Sequence, residues 1–366
     1  MKHQFKYIIG LLIGLVLVSC RKDPKPEPVG TTKYEFEYPT LFSSYLLPIN
    51  EPLDNPTTVE GVELGRMLFF DTRLSGDGTQ SCGSCHMPEH SFSDTAQYST
   101  GIDMIEGNRN AMPIINIGWM EDGLFWDGRT NSAELQAFEP ITNPIEMHET
   151  WPNAVSKLQQ DAQYPILFQQ VFGSSTIDSV MVAKAIAQFE RTLISGNSPF
   201  DKFIAGNFQP GSSGWSAANE QQALNGFNVF MDEGKGDCFH CHGDQFNPLW
   251  TDNIYHNNGL DANPADPGLM AVTNNPSDNG KFKTPTLRNL AFTAPYMHDG
   301  RFETLDEVIL HYSFGLQNSP TIDPLMKQVD QGGVQLTFQE QTALKWFLLS
   351  LSDSSFVTNP AFQDPW

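Results

Sequence analysis

Apolar positions along this chain recur mostly at helical spacing. In TTVEGVELGRMLFF, Leu64, Met67 and Leu68 fall at i, i+3 and i+4, with Val59 and Val62 a turn earlier, which predicts an amphipathic helix. The period returns in NSAELQAFEPI, in TWPNAVSKLQQDAQYPILFQQVFG and in IDSVMVAKAIAQFERTLISG. In the last of these, Val182, Ile186, Phe189 and Leu193 mark a buried face. NEQQALNGFNVFMDE, TLDEVILHYSFG and TFQEQTALKWFLLSLS predict three more helices, and strand-like alternation is scarce. The expected fold is therefore mainly α.

Two stretches break the helical pattern. Residues 87–130 are rich in Gly, Pro and Asn, and irregular segments this long inside a compact domain are usually functional. AGNFQPGSSGWSAAN is a Gly/Ser-rich interruption that suggests a domain boundary near residue 210. On either side the plan repeats: a helix, a pair of cysteines, a long irregular loop, more helices. That is an approximate internal duplication.

The first residues do not read as part of the fold. Lys2 and Lys6 precede the apolar run YIIGLLIGLVLV, which ends in LVSC at Leu17–Cys20. The run is too short and too closely followed by polar residues for a membrane span. A small residue before Cys20 resembles the lipobox of bacterial lipoproteins, although an ordinary signal peptide with a chance cysteine would look similar. The expected division is a signal peptide over 1–19, a lipid-anchored linker over 20–40 and two folded domains over 41–210 and 211–366. The chain would be an exported lipoprotein, with the periplasmic face of the outer membrane the favoured site and the cell surface an alternative.

Composition then narrows the partners. The 366 residues carry a formal charge of −22, which argues against nucleic acid or an anionic lipid surface. Of five cysteines, Cys20 goes to the lipid. The other four, Cys82, Cys85, Cys238 and Cys241, form two C-x-x-C-H motifs ending in His86 and His242. None is left for a structural disulfide, although the export signal implies an oxidising compartment. C-x-x-C-H is the attachment signature of c-type haem: the thiols add to the two vinyl groups and the following His becomes an axial ligand. Paired Cys and His can also hold zinc. Two motifs that use every cysteine of the folded part point instead to two covalently bound haem c groups.

Between the anchors, Phe125–Met147 reads FWDGRTNSAELQAFEPITNPIEM, and Lys283–Phe302 reads KTPTLRNLAFTAPYMHDGRF. These blocks, in this order with both anchors, resemble the bacterial di-haem cytochrome c peroxidases and their MauG-type relatives, over about residues 50–350. The resemblance implies two cytochrome c-like haem domains, the first peroxidatic and the second for electron transfer. It implies Glu146 as the acid–base group, Gln136 as the residue that orients peroxide, and Trp126 between the haems. A carboxylate in an apolar haem pocket suits proton transfer on chemical grounds, since burial raises its pKa. From spacing alone, Glu146 could equally be a helix N-terminal carboxylate and Trp126 a core aromatic. The resemblance further implies one calcium ion, matched by Asn110, Thr293 and Pro295.

Two departures from the family pattern separate the anchors. Aligned on Gly101 and Asn110, the distal His expected in enzymes that need reductive activation falls at Ile102, which cannot bind iron. His90 follows His86 too closely to replace it. The first haem is thus expected to keep an open coordination position. Fourteen residues after His298, where the peroxidases carry a Met ligand, stands Tyr312, as in MauG-type enzymes. Tyr312 is the favoured sixth ligand of the second haem, with Met297 the alternative. A phenolate there would lower that haem's potential. Two functions follow: reduction of hydrogen peroxide to water with electrons from a small cytochrome c or copper protein, or MauG-like oxidation of side chains on a partner protein through high-valent haem iron. A pure electron carrier would need neither Gln136 nor Glu146. A homodimer is left open.

Overall fold

The computed structural model describes residues 30–120 and 122–366, so the expected leader and Cys20 lie outside the described part. Its helices are α1 (Thr40–Tyr45), α2 (Val59–Phe69), α3 (Cys82–Cys85), α4 (Ala133–Gln136), α5 (Phe138–Thr142), α6 (Trp151–Gln159), α7 (Tyr164–Phe172), α8 (Ser179–Arg191) and α9 (Pro199–Ala205). They continue with α10 (Ala217–Met231), α11 (Phe239–His242), α12 (Met270–Thr273), α13 (Leu305–Leu310), α14 (Phe338–Ser350) and α15 (Ser354–Val357). Among the described residues the sheet content is one antiparallel pair, β1 (Tyr255–His256) with β2 (Phe282–Lys283). No helix of the described residues is long and apolar enough to cross a membrane.

The long helices start where side chains cap them. Thr58 accepts the Gly61 N–H at the head of α2, and Asp178 accepts the Met181 N–H at the head of α8. Thr304 with Glu307 and Thr337 with Glu340 form capping boxes on α13 and α14. The α8 face behaves as its spacing predicts: Val182, Ile186, Phe189 and Leu193 are all buried. On α2 the buried stripe is Gly61, Leu64, Gly65 and Leu68, while Val59 at the first position is turned to solvent. Helix α9 has no long apolar period and was not expected. It is built on Ser198–Pro199 with Asp201 closing a capping box.

Two apolar cores form, each around one crossing of long helices. In the first, α2 lies on α8 so closely that a Cβ at Gly65 would stand 1.9 Å from the Ala185 carbonyl oxygen. In the second, α10 lies on α14, and a Cβ at Gly226 would stand 2.0 Å from the Ala343 carbonyl oxygen. Phe189 and Phe347, one turn further on, pack against the two glycines at matching places. The cores exchange chain ends. Leu41, Phe200, Phe203 and Ile204 pack in the second core, whereas Phe356, Val357 and Phe362 pack in the first. A cut at residue 210 therefore passes through neither core cleanly.

Candidate functional site: two cysteine–histidine anchors

The first anchor is one turn of helix. In α3, Ser84 Oγ accepts the Ser81 N–H at 3.0 Å, and the His86 N–H closes the turn on the Cys82 carbonyl at 2.9 Å. Both thiols are free. Phe70 lies flat against Gly83, where a Cβ would come within 2.4 Å of its ring, so the first spacer position of this motif must be small. The chain then reverses through Ser91 and Phe92, both left-handed, which returns the Phe92 carbonyl to His86. His86 Nδ1 donates to that carbonyl at 2.8 Å, fixing the ring. Burial pushes the Cys85 thiol up to about 11 and holds the His86 imidazole below its usual range.

Glu146 shares this space. Its charge opposes ionisation of both Cys82 and Cys85, and its own carboxyl is raised by burial. Asn143 Nδ2 donates to Oε1 at 2.6 Å, while Oε2 has no hydrogen-bond partner among the described residues. Ile102 is pinned beside it. The Ile102 N–H donates to the Glu146 carbonyl at 3.0 Å, Gly101 sits where a Cβ would meet the Ile145 carbonyl at 2.3 Å, and Asp103 pairs with His148. Three contacts thus staple the loop at 101–103 to the segment carrying Glu146. Gln136 ends α4, half-buried, with no side-chain hydrogen bond among the described residues; none joins it to Glu146. His90 lies on the short turn after His86.

The second anchor is a similar turn. The His242 N–H donates to the Cys238 carbonyl at 3.1 Å, and His242 Nδ1 donates to the Trp250 carbonyl at 3.3 Å. Burial takes His242 down to about 4 and both thiols up to about 12. The motif opens on a largely apolar cavity with about 1750 Å³ of empty space, its open mouth included. Tyr312 and Met297 both line it, together with Cys238, Cys241 and His242. Tyr312 is displayed by one π-helical turn, His311–Gly315, that continues α13; such turns recur at functional sites. Asn258 Nδ2 donates to the Tyr312 phenol oxygen at 3.0 Å and lies 3.6 Å from the Met297 sulfur. Burial nonetheless raises the phenol to about 12.

Trp126 joins the halves. Its indole Nε1 donates to the Asn110 carbonyl at 2.8 Å, its own carbonyl accepts the Lys283 N–H at 2.8 Å, and it lines the second cavity. Asn110, Thr293 and Pro295 line the same cavity. The Asn110 N–H donates to the His298 carbonyl at 2.8 Å, and its side-chain amide donates to the Ala96 and Gln97 carbonyls.

In both anchors, two free thiols converge with an imidazole held through Nδ1 by a backbone carbonyl, the donor set that covalent haem c requires. Cys241, Asp252 and His256 also bring ligand atoms within 4.8 Å of one another. That group does not suit a metal. Asp252 bonds His256 Nε2 at 2.9 Å and Asp323 bonds Nδ1 at 2.6 Å, so neither ring nitrogen has a lone pair to offer. Sequence reasoning missed Asn258, Lys283 and the Asp252–His256–Asp323 cluster. Each is an ordinary polar residue in an irregular segment, where no periodicity signals burial.

Comparison with known proteins decides the family. Residues 59–209 match the model of the di-haem cytochrome c peroxidases. The methylamine utilization protein MauG of Methylophilus methylotrophus is 35% identical over 303 residues, 83% of this chain and 85% of that protein. The chain belongs to the di-haem cytochrome c peroxidase family. As a family member it is an oxidoreductase, and the family carries two c-type haems. The cytochrome c551 peroxidase of Nitrosomonas europaea is 37% identical over 277 residues, 73% of this chain and 78% of that protein. A crystal structure of a MauG-like protein associated with microbial copper homeostasis superposes with a TM-score of 0.80 at 33% identity, covering 91% of this chain and 99% of that one. Relatives within the family thus carry both peroxidase and MauG names.

Proposed function

We propose that this chain reduces hydrogen peroxide to water with electrons from a small redox protein, each peroxide consuming two electrons and two protons. The observation that carries the reading is an asymmetry. The first anchor faces a buried carboxyl, Glu146, with Ile102 stapled beside it, whereas the second faces Tyr312 and Met297. When bound, the first haem would supply the iron that activates peroxide and the second would feed it electrons.

The residues then divide the work. Cys82, Cys85 and His86 hold one haem, and Cys238, Cys241 and His242 the other. Ile102 offers no ligand atom and keeps the first site open. Glu146, with Oε1 held by Asn143 and Oε2 free, takes a proton from one peroxide oxygen and returns it to the other. Gln136 orients the peroxide by hydrogen bonding. Trp126, bonded to Asn110 and Lys283, bridges the two sites. Tyr312 would hold the second haem in preference to Met297, because the hydrogen bond Asn258 donates to its oxygen would support the phenolate. Asn110, Thr293 and Pro295 would hold a calcium ion, whose chemistry calls for oxygen donors. The two haem units correspond to the two helix crossings. Cys20 carries the lipid anchor, with the folded part facing the periplasm.

A second reading, MauG-like oxidation of a partner protein, is favoured by Tyr312 and by the relative of that name. Steady-state turnover of hydrogen peroxide with reduced cytochrome c separates the two. Sustained turnover supports the peroxidase; its absence, with peroxide still changing the haem spectrum, overturns it. Electron paramagnetic resonance of the oxidised protein should contain a high-spin component from the first haem, and a wholly low-spin signal would remove the open-site claim.

A further inference from the structure

Lys283 is 2% exposed and lines the second cavity. Its ammonium carries three donors, of which one is used, to the Asn253 carbonyl at 2.9 Å. The Tyr255 ring lies 5.0 Å from Nζ. No ion pair reaches it among the described residues, although Asp122 and Asp252 act on it from a distance. Other buried cations are answered. Arg288, fully buried, makes two 2.8 Å bonds to Asp201, and Arg191 pairs with Glu134. Around the cavity itself, His256 has its two carboxylates, and Lys327 stands 2.7 Å from Asp237. An isolated buried ammonium is costly unless an anion joins it. Burial accordingly lowers Lys283 to about 8.

The cavity beside Lys283 is the one the second C-x-x-C-H motif opens on, and haem c brings two propionates that the cysteines do not consume. We propose that Lys283 is a positioning residue that ion-pairs with a propionate of the second haem. Its peptide N–H is fixed on the Trp126 carbonyl and β2 holds it against β1, so the ammonium stands on a rigid mount. One ion pair would thereby tie the cofactor's position to the bridging tryptophan, and the buried positive charge would raise the potential of that haem alone. The proposal rests on haem occupying the second anchor, as set out above.

Holoprotein tests it. Pyridine haemochrome assay of the unaltered protein should give two haems per chain; fewer would remove the underlying reading before Lys283 is touched. In K283M, spectroelectrochemical titration should show the oxidised-to-reduced ratio of the second haem, at fixed potential, shifted at least tenfold toward oxidised, about 59 mV for a one-electron couple. The first haem should stay within twofold. K283R keeps the charge and should titrate like the unaltered protein, and it decides the matter if K283M does not retain both haems. An unshifted second haem in K283M, equal shifts in both haems, or a K283R shift as large as tenfold overturns the proposal.

Discussion

The two halves of the molecule share a frame and differ in what the frame encloses. Gly65 on Ala185 and Gly226 on Ala343 are the same close helix crossing, each followed by a phenylalanine one turn along. The first helix of each crossing leads into a C-x-x-C-H turn whose histidine donates through Nδ1 to a backbone carbonyl. Beyond that the halves diverge. At the position after Phe189 the first half carries Glu190, buried, its carboxyl without a hydrogen bond among the described residues; at the matching position after Phe347 the second carries Leu348. Beside the first anchor's carboxyl, a stapled loop presents isoleucine; at the second cavity a π turn presents tyrosine. Motif and helix packing are thus common to both halves, while the side chains that set them apart come from irregular segments.

That comparison can be broken in order of effect. Glu146→Gln should lower peroxide turnover by about 10²–10⁴-fold while leaving the second haem's spectrum unchanged; turnover within threefold of the unaltered enzyme removes Glu146 from proton transfer. Because burial raises this carboxyl, its basic form is lost as pH falls through a value above the ordinary carboxylate range. The acid limb of the turnover–pH profile should therefore lie above about 4.3, the usual glutamate value.

Next come the shared crossings. Gly65→Ala and Gly226→Ala each drive a methyl into a backbone carbonyl that cannot swing aside. Each should cost about 1–3 kcal/mol of stability, the overpacking range, despite alanine's better helix propensity. Denaturant midpoints measure this, and a loss in only one half would show that the crossings are not equivalent.

Tyr312→Phe removes one oxygen from the second cavity. With Tyr312 as ligand, the second haem's spectrum should change and its potential rise as Met297 becomes the available soft donor. An unaltered spectrum would assign the ligand elsewhere.

The smallest expected effect concerns Glu190. Burial raises its carboxyl from the ordinary carboxylate range to about 8. A raised acid favours the folded state at low pH and loses that advantage as pH climbs from about 4.5 through 8. Glu190→Gln should therefore gain more stability, relative to the unaltered protein, at pH 8 than at pH 5. Equal effects at both values would show that Glu190 does not titrate in this range.

Much of this was legible in the chain. Helices α2, α8, α10 and α14 follow from apolar period and caps, because those signals are local. The C-x-x-C-H motifs are legible for the same reason: one helical turn fixes both sulfurs and the imidazole. Helix α9 escaped because a seven-residue helix has too few turns to show a period, although Ser198, Pro199 and Asp201 carry a readable start signal. Ile102 and Tyr312 stand out by departures from a family pattern, never by physics, since nothing local distinguishes an isoleucine in a loop from one beside a buried carboxyl.

The sequence by itself determined the two C-x-x-C-H motifs, the helical scaffold and its approximate duplication. Only the tertiary structure decided which side chains share a space. It set Ile102 on the Glu146 carbonyl, let Asn258 reach both Tyr312 and Met297, crossed the chain ends between the cores and left Lys283 buried without an ion pair among the described residues. These relations join residues tens to hundreds of positions apart through loops of irregular conformation. Burial and hydrogen-bond partners in such loops depend on the packed whole, and no local period encodes them.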